Sequence, residues 1–168
     1  ERLTKGVGPE GLAGTAPITA SAGGVTSAAV TVTVVPGAPS QMGLRIQPDG
    51  AASGSPLAAQ PSVEVRDAAG NLTPTAATVT VAIGAGGGVL SGTTTVAAIN
   101  GSANFSGLAI TGLIGPRTLV FSATGLASAT SASFTLAAGA ATKLVIRTQP
   151  VGGTAYATRA TPPIVEVP

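Results

Sequence analysis

The sequence predicts an all-β protein built from β-sandwich units that repeat with a period of 102 residues, the separation between Gly37-Ala38 and its copy Gly139-Ala140. Three observations predict this fold class. They are the internal repeat, a strand-like alternation of apolar and polar residues, and strong turn signals between the alternating segments. Internal repeats identify the structural unit, so the repeat is assigned before any motif.

The repeat extends along most of the chain. Two further groups of residues recur at the same separation of 102 residues. The first group is Met42, Leu44, Gln47 and Pro48, which recurs as Leu144, Ile146, Gln149 and Pro150. The second group is Pro61, Val63, Glu64 and Val65, which recurs as Pro163, Val165, Glu166 and Val167. Near the start, Ile18, Gly23, Val32, Thr33 and Val34 correspond to Val120, Gly125, Phe134, Thr135 and Leu136. Residues 11–14 match residues 112–115 at a separation of 101 (112 minus 11), which predicts one inserted residue, to be absorbed in a loop.

These correspondences divide the chain into three parts. Residues 1–36 are the C-terminal part of one unit, residues 37–138 a complete unit, and residues 139–168 the N-terminal part of the next. We therefore expect the chain to be a piece of a longer tandem array.

The complete unit contains seven segments in which apolar residues alternate with Thr, Ser, Glu or Arg. This period of two is typical of strands with one buried and one solvated face. The predicted strands are 42–47, 62–66, 78–83, 94–99, 102–108, 118–123 and 131–136. No segment shows uninterrupted helical periodicity, so all-β is the predicted class.

Turn signals separate these segments. Asn100-Gly101 lies between two predicted strands and predicts a hairpin with a type I′ turn, which requires positive φ at both central residues. Asp67 and Asn71 are the first and last residues of a five-residue turn in which the Asp side chain is expected to accept backbone N–H groups. Turns this frequent over about 100 residues favour a two-sheet sandwich, and Phe105, Phe121 and Phe134 are expected to anchor its core.

Composition narrows the possible functions. Charged residues make up 8% of the chain, aromatic residues 2% and hydrophobic residues 44%. The eight Lys and Arg residues are scattered and the net charge is +2, so no basic surface for nucleic acid is predicted. No apolar run approaches the roughly 20 residues that a membrane-spanning helix needs.

Catalysis has few candidate groups. The chain has no His and no Cys, and the complete unit has only Asp49, Glu64 and Asp67 as acids, so we predict no catalytic site and no cofactor. Calcium is the better ligand hypothesis, with Asp67 and Asn71 as a weak candidate pair. Calcium sites commonly use six to eight oxygen ligands, and these residues offer few. Capping of a turn is the favoured interpretation of the pair.

Five blocks of the complete unit resemble, in order and spacing, the bacterial immunoglobulin-like repeats of large surface and secreted proteins of the invasin and intimin type. The blocks are 44–48 (LRIQP), 63–71 (VEVRDAAGN), 87–93 (GGVLSGT), 100–105 (NGSANF) and 119–125 (LVFSATG). The resemblance implies an immunoglobulin-like β-sandwich at a cell surface or outside the cell. Cys and Trp are absent, so aliphatic packing replaces the disulfide and tryptophan of antibody domains.

Two function classes follow from these observations. The leading hypothesis is a structural extracellular repeat, acting as a semi-rigid spacer, adhesin stalk or filament subunit, whose partners are neighbouring repeats or other copies in a fibre. The alternative is a ligand-binding module, for carbohydrate or a receptor, on a secreted enzyme or adhesin tip. Binding of carbohydrate favours exposed aromatic side chains, and Tyr156 is the one ring outside the predicted cores.

Overall fold

A computed structural model describes residues 2–4, 12–141, 144–148 and 164–166. All regular structure within these ranges is β-strand, which confirms the predicted all-β class. The strands are β1 Arg2–Thr4, β2 Gly14–Ala22, β3 Val25–Thr26, β4 Val30–Val34, β5 Gln41–Ile46, β6 Ala51–Ala52, β7 Ser62–Arg66, β8 Thr78–Ala85, β9 Val89–Ser91, β10 Thr95–Ala97, β11 Ser102–Asn104, β12 Ala109–Thr111, β13 Gly115–Ser122, β14 Ala129–Thr130, β15 Phe134–Ala137, β16 Val145–Thr148 and β17 Ile164–Glu166. The described residues contain no helix of the length and apolarity that crossing a bilayer requires.

We call residues 37–138 the middle unit. Its strands form two main sheets, one in the order β11-β7-β5 and the other in the order β10-β8-β13-β15-β6, with β14 paired to β13. A two-stranded sheet of β9 and β12 lies beside them. The neighbours β5-β7-β11 and β8-β13-β15 match the A-B-E and C-F-G groupings of immunoglobulin sandwiches. The unit boundaries stay a prediction.

The core of the middle unit lies between the two main sheets. Both sheets contribute buried side chains to one apolar cluster, with Val63 and Val65 from β7 facing Leu119 and Phe121 from β13. Phe121 has no exposed surface, and its ring centroid lies 5.4 Å from that of Phe105 at an interplanar angle of 56°. Phe134 is also buried in this cluster. The buried residues of β7 and β13 follow the predicted alternation.

The last strand of the middle unit, β15, runs beside its short second strand, β6. β6 pairs in parallel with β15, with Ala51 opposite Leu136 and Ala52 opposite Ala137. The N–H of Ser53 extends this contact by donating to the Ala137 carbonyl over 2.9 Å. Parallel pairing places the two ends of the unit at opposite ends of the sandwich.

The structure differs from the predicted strands in several places. The predicted strand 102–108 ends at Asn104, and β6, β9, β12 and β14 were not predicted. These four strands have two or three residues each, too few for alternation to identify them. The predicted strand 131–136 begins only at Phe134. The Ser131 hydroxyl accepts a hydrogen bond from the Leu119 N–H at 2.9 Å, which interrupts the backbone hydrogen-bond ladder to β13.

The Asn100-Gly101 turn is present, but the predicted hairpin is wrong. Both central residues have positive φ, 50° and 81°, and Ile99 bridges Ser102 across them. Beyond that bridge the flanking strands separate, since β10 pairs with β8 and β11 pairs with β7 in the other sheet. The turn therefore carries the chain from one sheet to the other.

The C-terminal hairpin reproduces the first hairpin of the middle unit. In β5-β7, Gly43 pairs with Glu64 and Leu44 with Val63, and the register then shifts between Leu44 and Ile46. The residues 102 positions later pair in the same way in β16-β17, as Val145 with Glu166 and Ile146 with Val165, with the shift between Ile146 and Thr148. The two copies therefore share pairing and irregularity. The predicted correspondences at Gln149, Pro150, Pro163 and Val167 lie outside the described residues.

The N-terminal part matches the end of the middle unit over three residue pairs. Gly14 pairs with Val34 in β2-β4, and its counterpart Gly115 pairs with Leu136 in β13-β15. After these pairs β4 continues without a break, whereas residues 131–133 separate β14 from β15. The inserted residue was predicted to fall in a loop. Its position stays a prediction.

Candidate functional site at the Asp67 loop

The most extensive side-chain hydrogen-bond network of the middle unit surrounds the turn at residues 67–71, which we call the Asp67 loop. β7 ends at Arg66, and the buried Asp67 carboxylate then accepts four N–H groups. Oδ1 accepts the backbone N–H groups of Ala69 at 3.0 Å and Asn71 at 2.8 Å. Oδ2 accepts the backbone N–H of Gly37 at 2.8 Å and the Asn71 Nδ2 at 2.9 Å. The carboxylate thus organises both the loop and the connection that precedes the unit.

Backbone bonds close the same loop. The Asp67 N–H donates to the Asn71 carbonyl at 2.9 Å, and the Gly70 N–H donates to the Asp67 carbonyl at 3.1 Å. The Gln41 amide adds a third bond, from Nε2 to the Asp67 carbonyl at 2.8 Å. Gly70 has a φ of 91°, a conformation that glycine adopts without strain. The sequence Asp-Ala-Ala-Gly-Asn therefore supplies both the capping side chain and the residue that reverses the chain.

Asn71 links the loop to the preceding part of the chain. Its Oδ1 accepts the backbone N–H of Ala13 at 2.7 Å, directly before β2. Its Nδ2 donates to Asp67 in the same arrangement. The N-terminal sheet, the connection at Gly37 and the Asp67 loop are therefore joined through two adjacent side chains. This position at the predicted boundary between two units makes the network a candidate junction.

The hydrogen bonds lower the pKa of Asp67 from its ordinary value of 3.8 to about 2. The largest cause is the bond from the Asn71 side chain, followed by the Gly37 N–H, while burial acts in the opposite direction. These N–H donors stabilise the ionised form of Asp67, because a protonated carboxyl group accepts hydrogen bonds from them less well.

This pKa predicts a loss of stability in acid. Because the folded value is below the unfolded one, the contribution of Asp67 is complete above pH 4 and disappears as the pH falls from about 4 to about 2. We expect Asp67→Asn to lower the urea midpoint at pH 7 and to make the midpoint less dependent on pH between 4 and 2. Urea unfolding of both proteins at pH 7, 4, 3 and 2 measures this. A difference between the two proteins that stays constant over this range would contradict the assignment.

The Asp67 loop is built for capping and offers little to calcium. Each carboxylate oxygen already accepts two N–H groups, and the Asn71 Oδ1 accepts the Ala13 N–H. A cation would have to replace these donors, and Ca²⁺ commonly takes six to eight oxygens. Among the residues that the structure describes, no group of three or more acidic or histidine side chains lies together.

The residues singled out from the sequence fall into two places. Phe105, Phe121 and Phe134 lie in the core and are inaccessible to a ligand. The Asn100-Gly101 turn lies near the Asp67 loop, because the Gly101 carbonyl accepts the Val65 N–H at 2.8 Å from β7, the strand that leads into the loop. Two turns that are far apart in the sequence therefore meet at one end of the middle unit.

The acids do not converge on a reactive pair. Glu64 forms ion pairs with Arg66 at 2.8 Å and with Arg45 at 3.8 Å on the outer face of its sheet. Asp49 accepts the N–H of Gly50 at 2.7 Å in an exposed turn. These contacts hold strands and turns in place.

Arg117 is a residue that sequence reasoning missed. It lies on the inner face of β13 and is buried, with Nη1 donating to the Pro116 carbonyl at 2.8 Å and Nη2 donating to the Leu113 carbonyl. Its Nε has no hydrogen-bond partner among the described residues. The alternation Arg117, Leu119, Phe121 was the signal, since it places all three side chains on the buried face. Arg117 holds the loop at residues 112–115, at the other end of the unit from the Asp67 loop.

Comparisons with known proteins indicate the fold. No protein-family model matches the chain, and no curated protein is significantly similar to it. Among solved structures, the chain is similar to a glycosyl hydrolase family 2 member from Bacteroides cellulosilyticus, with a TM-score of 0.50 and 14% identity. It is also similar to a β-glycosidase from Bacteroides vulgatus, with a TM-score of 0.43 and 16% identity.

Both matches cover 74% of this chain but only 17% of the glycosidase chains. At 14% identity the first likeness shows the fold alone. A β-sandwich of this kind is what a bacterial immunoglobulin-like domain requires, so the coarser part of the resemblance agrees with the structure.

Proposed function

We propose that this chain is part of a tandem array of immunoglobulin-like units that acts as a semi-rigid spacer at a bacterial cell surface, as an adhesin stalk or a filament subunit. The observation that carries the proposal is the shared register of β5-β7 and β16-β17, irregularity included. A stalk of the invasin or intimin type is the protein class that the five sequence blocks favour. Neighbouring units are then the first partners of each unit.

The junction at the Asp67 loop supports a stiff connection between units. Ala13 of the preceding part and Gly37 of the connection both donate to side chains of the loop, at 2.7 and 2.8 Å. Pro36 and Pro39 flank Gly37, and proline favours extended, semi-rigid linkers. Two hydrogen bonds and two prolines restrict bending in a connection this short.

The parallel pairing of β6 with β15 supports a role under tension. Tension on the two ends of the middle unit pulls Ala51-Ala52 and Leu136-Ala137 along their ladder in opposite directions. The hydrogen bonds of such a ladder are loaded in shear and have to break together. This arrangement suits a unit that transmits force from one neighbour to the next.

The C-terminal hairpin presents an apolar face that a complete unit would cover. Val165 is 55% exposed, whereas its counterpart Val63 has no exposed surface in the core of the middle unit. Ile146 is likewise exposed, while its counterpart Leu44 packs partly buried against the core. The positions exposed on this hairpin are those that the core covers in the middle unit, which supports the equivalence of the two hairpins.

Electron microscopy of an array tests the proposal. We expect six copies of residues 37–138, joined directly, to appear in negative stain as a row of evenly spaced beads. Asn71→Ala in every copy should widen the distribution of angles between beads at unchanged spacing, because the link to the preceding unit is lost. Thr78→Ala, an exposed strand position, is the matched control and should leave the angles unchanged. Compact particles without beads would contradict the spacer function.

A second candidate function is a ligand-binding module, for carbohydrate or a receptor, on a secreted enzyme or an adhesin tip. The observation in its favour is the likeness to a solved glycosyl hydrolase family 2 chain, of which this chain covers a small part. Binding to a glycan array by the monomeric chain, without formation of beaded arrays, would favour this function over the stalk.

A further inference from the structure

We propose that the loop at residues 112–115 and the groove beside it form the docking face for a following copy of the same unit. This inference rests on the proposed function and deepens it, because it names the contact surface and the groups that make it. The occupant is the Asp67 loop of the following unit.

The loop at residues 112–115 is the counterpart of residues 11–14, which precede the first junction. The two segments read Gly-Leu-Ile-Gly and Gly-Leu-Ala-Gly. Their last glycines, Gly14 and Gly115, have φ values of 155° and 134° and pair with the corresponding residues Val34 and Leu136. The two loops thus share three of their four residues, a positive φ at the last glycine and the strand register that follows it.

At the first junction this segment contacts the next unit. The Ala13 N–H donates to Asn71 Oδ1 at 2.7 Å. The corresponding group in the middle unit is the N–H of Ile114, for which the described part of the chain provides no hydrogen-bond acceptor. Leu113 and Ile114 are 86% and 69% exposed, compared with 50% for Leu12 at the first junction. The middle unit therefore presents an apolar loop tip and an available donor where its counterpart contacts a neighbour.

A groove beside the loop contains the counterpart of the second N–H donor at the first junction. Residues 53–55, 111–114 and 138–140 line it. It includes Gly139, the counterpart of Gly37, whose N–H binds the Asp67 carboxylate at the first junction. Ser53 holds the parts together, since its hydroxyl bonds Gly112 at 3.0 Å and its N–H donates to Ala137 at 2.9 Å. The N–H groups of Ile114 and Gly139, which correspond to the two donors at the first junction, therefore lie on the same face of the middle unit.

The positive charge of Arg117 also favours the Asp67 loop of the following unit as the occupant of this face. Arg117 donates to the Leu113 carbonyl and is buried beneath the loop, and no carboxylate pairs with it among the described residues. Its positive charge lies on the side of the unit that would meet the anionic Asp67 loop of the following copy. Opposite charges on two docking faces favour their association and fix its orientation.

An extended chain tests the inference. Residue 168 corresponds to residue 66 (168 minus 102), so appending a copy of residues 67–138 after Pro168 completes a third unit. Amide hydrogen exchange by NMR should show at least about tenfold slower exchange at Ile114 and Gly139 in the extended chain than in the original one. Asn→Ala at the appended copy of Asn71 should restore fast exchange at Ile114. The same change at Asn71 itself should instead speed exchange at Ala13.

The outcomes separate this inference from the proposed function. If the appended unit folds, as judged by protection of its copy of the Gly101 amide, but Ile114 exchanges as before, the docking face is wrong and the spacer function stands. Protection of Ile114 that rises with protein concentration would mean that a second chain occupies the face, which also overturns the inference. If the appended unit does not fold, two copies of residues 37–138 joined directly serve as the second variant. Unchanged exchange at Ile114 there overturns the inference as well.

Discussion

Replacing Phe121 with alanine is expected to lower the free energy of unfolding by about 3–5 kcal/mol, the usual range for a buried phenylalanine. Phe121 has no exposed surface and lies near the C-terminal end of β13, paired with Val81 on β8. Its ring packs on that of Phe105 at a centroid distance of 5.4 Å. The surrounding core relaxes only partially around such a truncation, so a cavity remains and adds to the lost burial.

Urea unfolding followed by circular dichroism measures the effect. Ile99→Ala is the control, because Ile99 is 76% exposed and its truncation should change stability by less than about 0.5 kcal/mol. Equal midpoints for the two variants would mean that Phe121 does not lie between the sheets, and the arrangement of the core described here would be incorrect.

Gly101→Ala is expected to cost about 3 kcal/mol or more, from backbone strain and a steric clash together. Gly101 has a φ of 81°, which an L-residue adopts only with strain. A Cβ atom there would lie 2.1 Å from the Thr73 carbonyl oxygen, so the backbone would have to move. That movement would weaken the bonds that Gly101 makes with Thr75 and Val65, which hold the turn against β7.

Gly125→Ala separates the two causes. Gly125 has nearly the same φ, 75°, but a Cβ atom added there would meet no other atom within 4 Å. Its substitution should therefore show the strain alone, about 1–2 kcal/mol. Thermal unfolding of the two variants under the same conditions measures the difference. Equal losses of stability would show that the contact between the Gly101 turn and residue 73 does not hold in solution.

The sequence predicted the features that depend on local pattern. The alternation around Val63-Val65 and Leu119-Phe121 identified inner faces, because side chains on a strand point to opposite sides in turn. The separation of 102 residues predicted that the segments around Leu44 and Ile146 are equivalent, and their strands share one register. Asn100-Gly101 predicted positive φ at both positions, since few other pairs adopt it.

Features that depend on distant contacts were not predictable in the same way. The Ala13 to Asn71 hydrogen bond joins residues 58 positions apart and involves a backbone N–H that any residue could supply. The Asn100-Gly101 turn shows the same limit, because its sequence determines φ but not which strands pair on either side. Arg117 was visible in the alternation, but a charged residue is rarely expected on a buried face.

The most direct test of the central claim is calorimetry of residues 37–138 alone. If these residues are one self-contained sandwich repeated along the chain, they should unfold in a single transition with equal calorimetric and van't Hoff enthalpies. The enthalpy should be about 70 kcal/mol near 60 °C, from roughly 0.7 kcal/mol per residue. Unfolding without a cooperative heat-absorption peak would contradict the claim that this segment is the repeating unit.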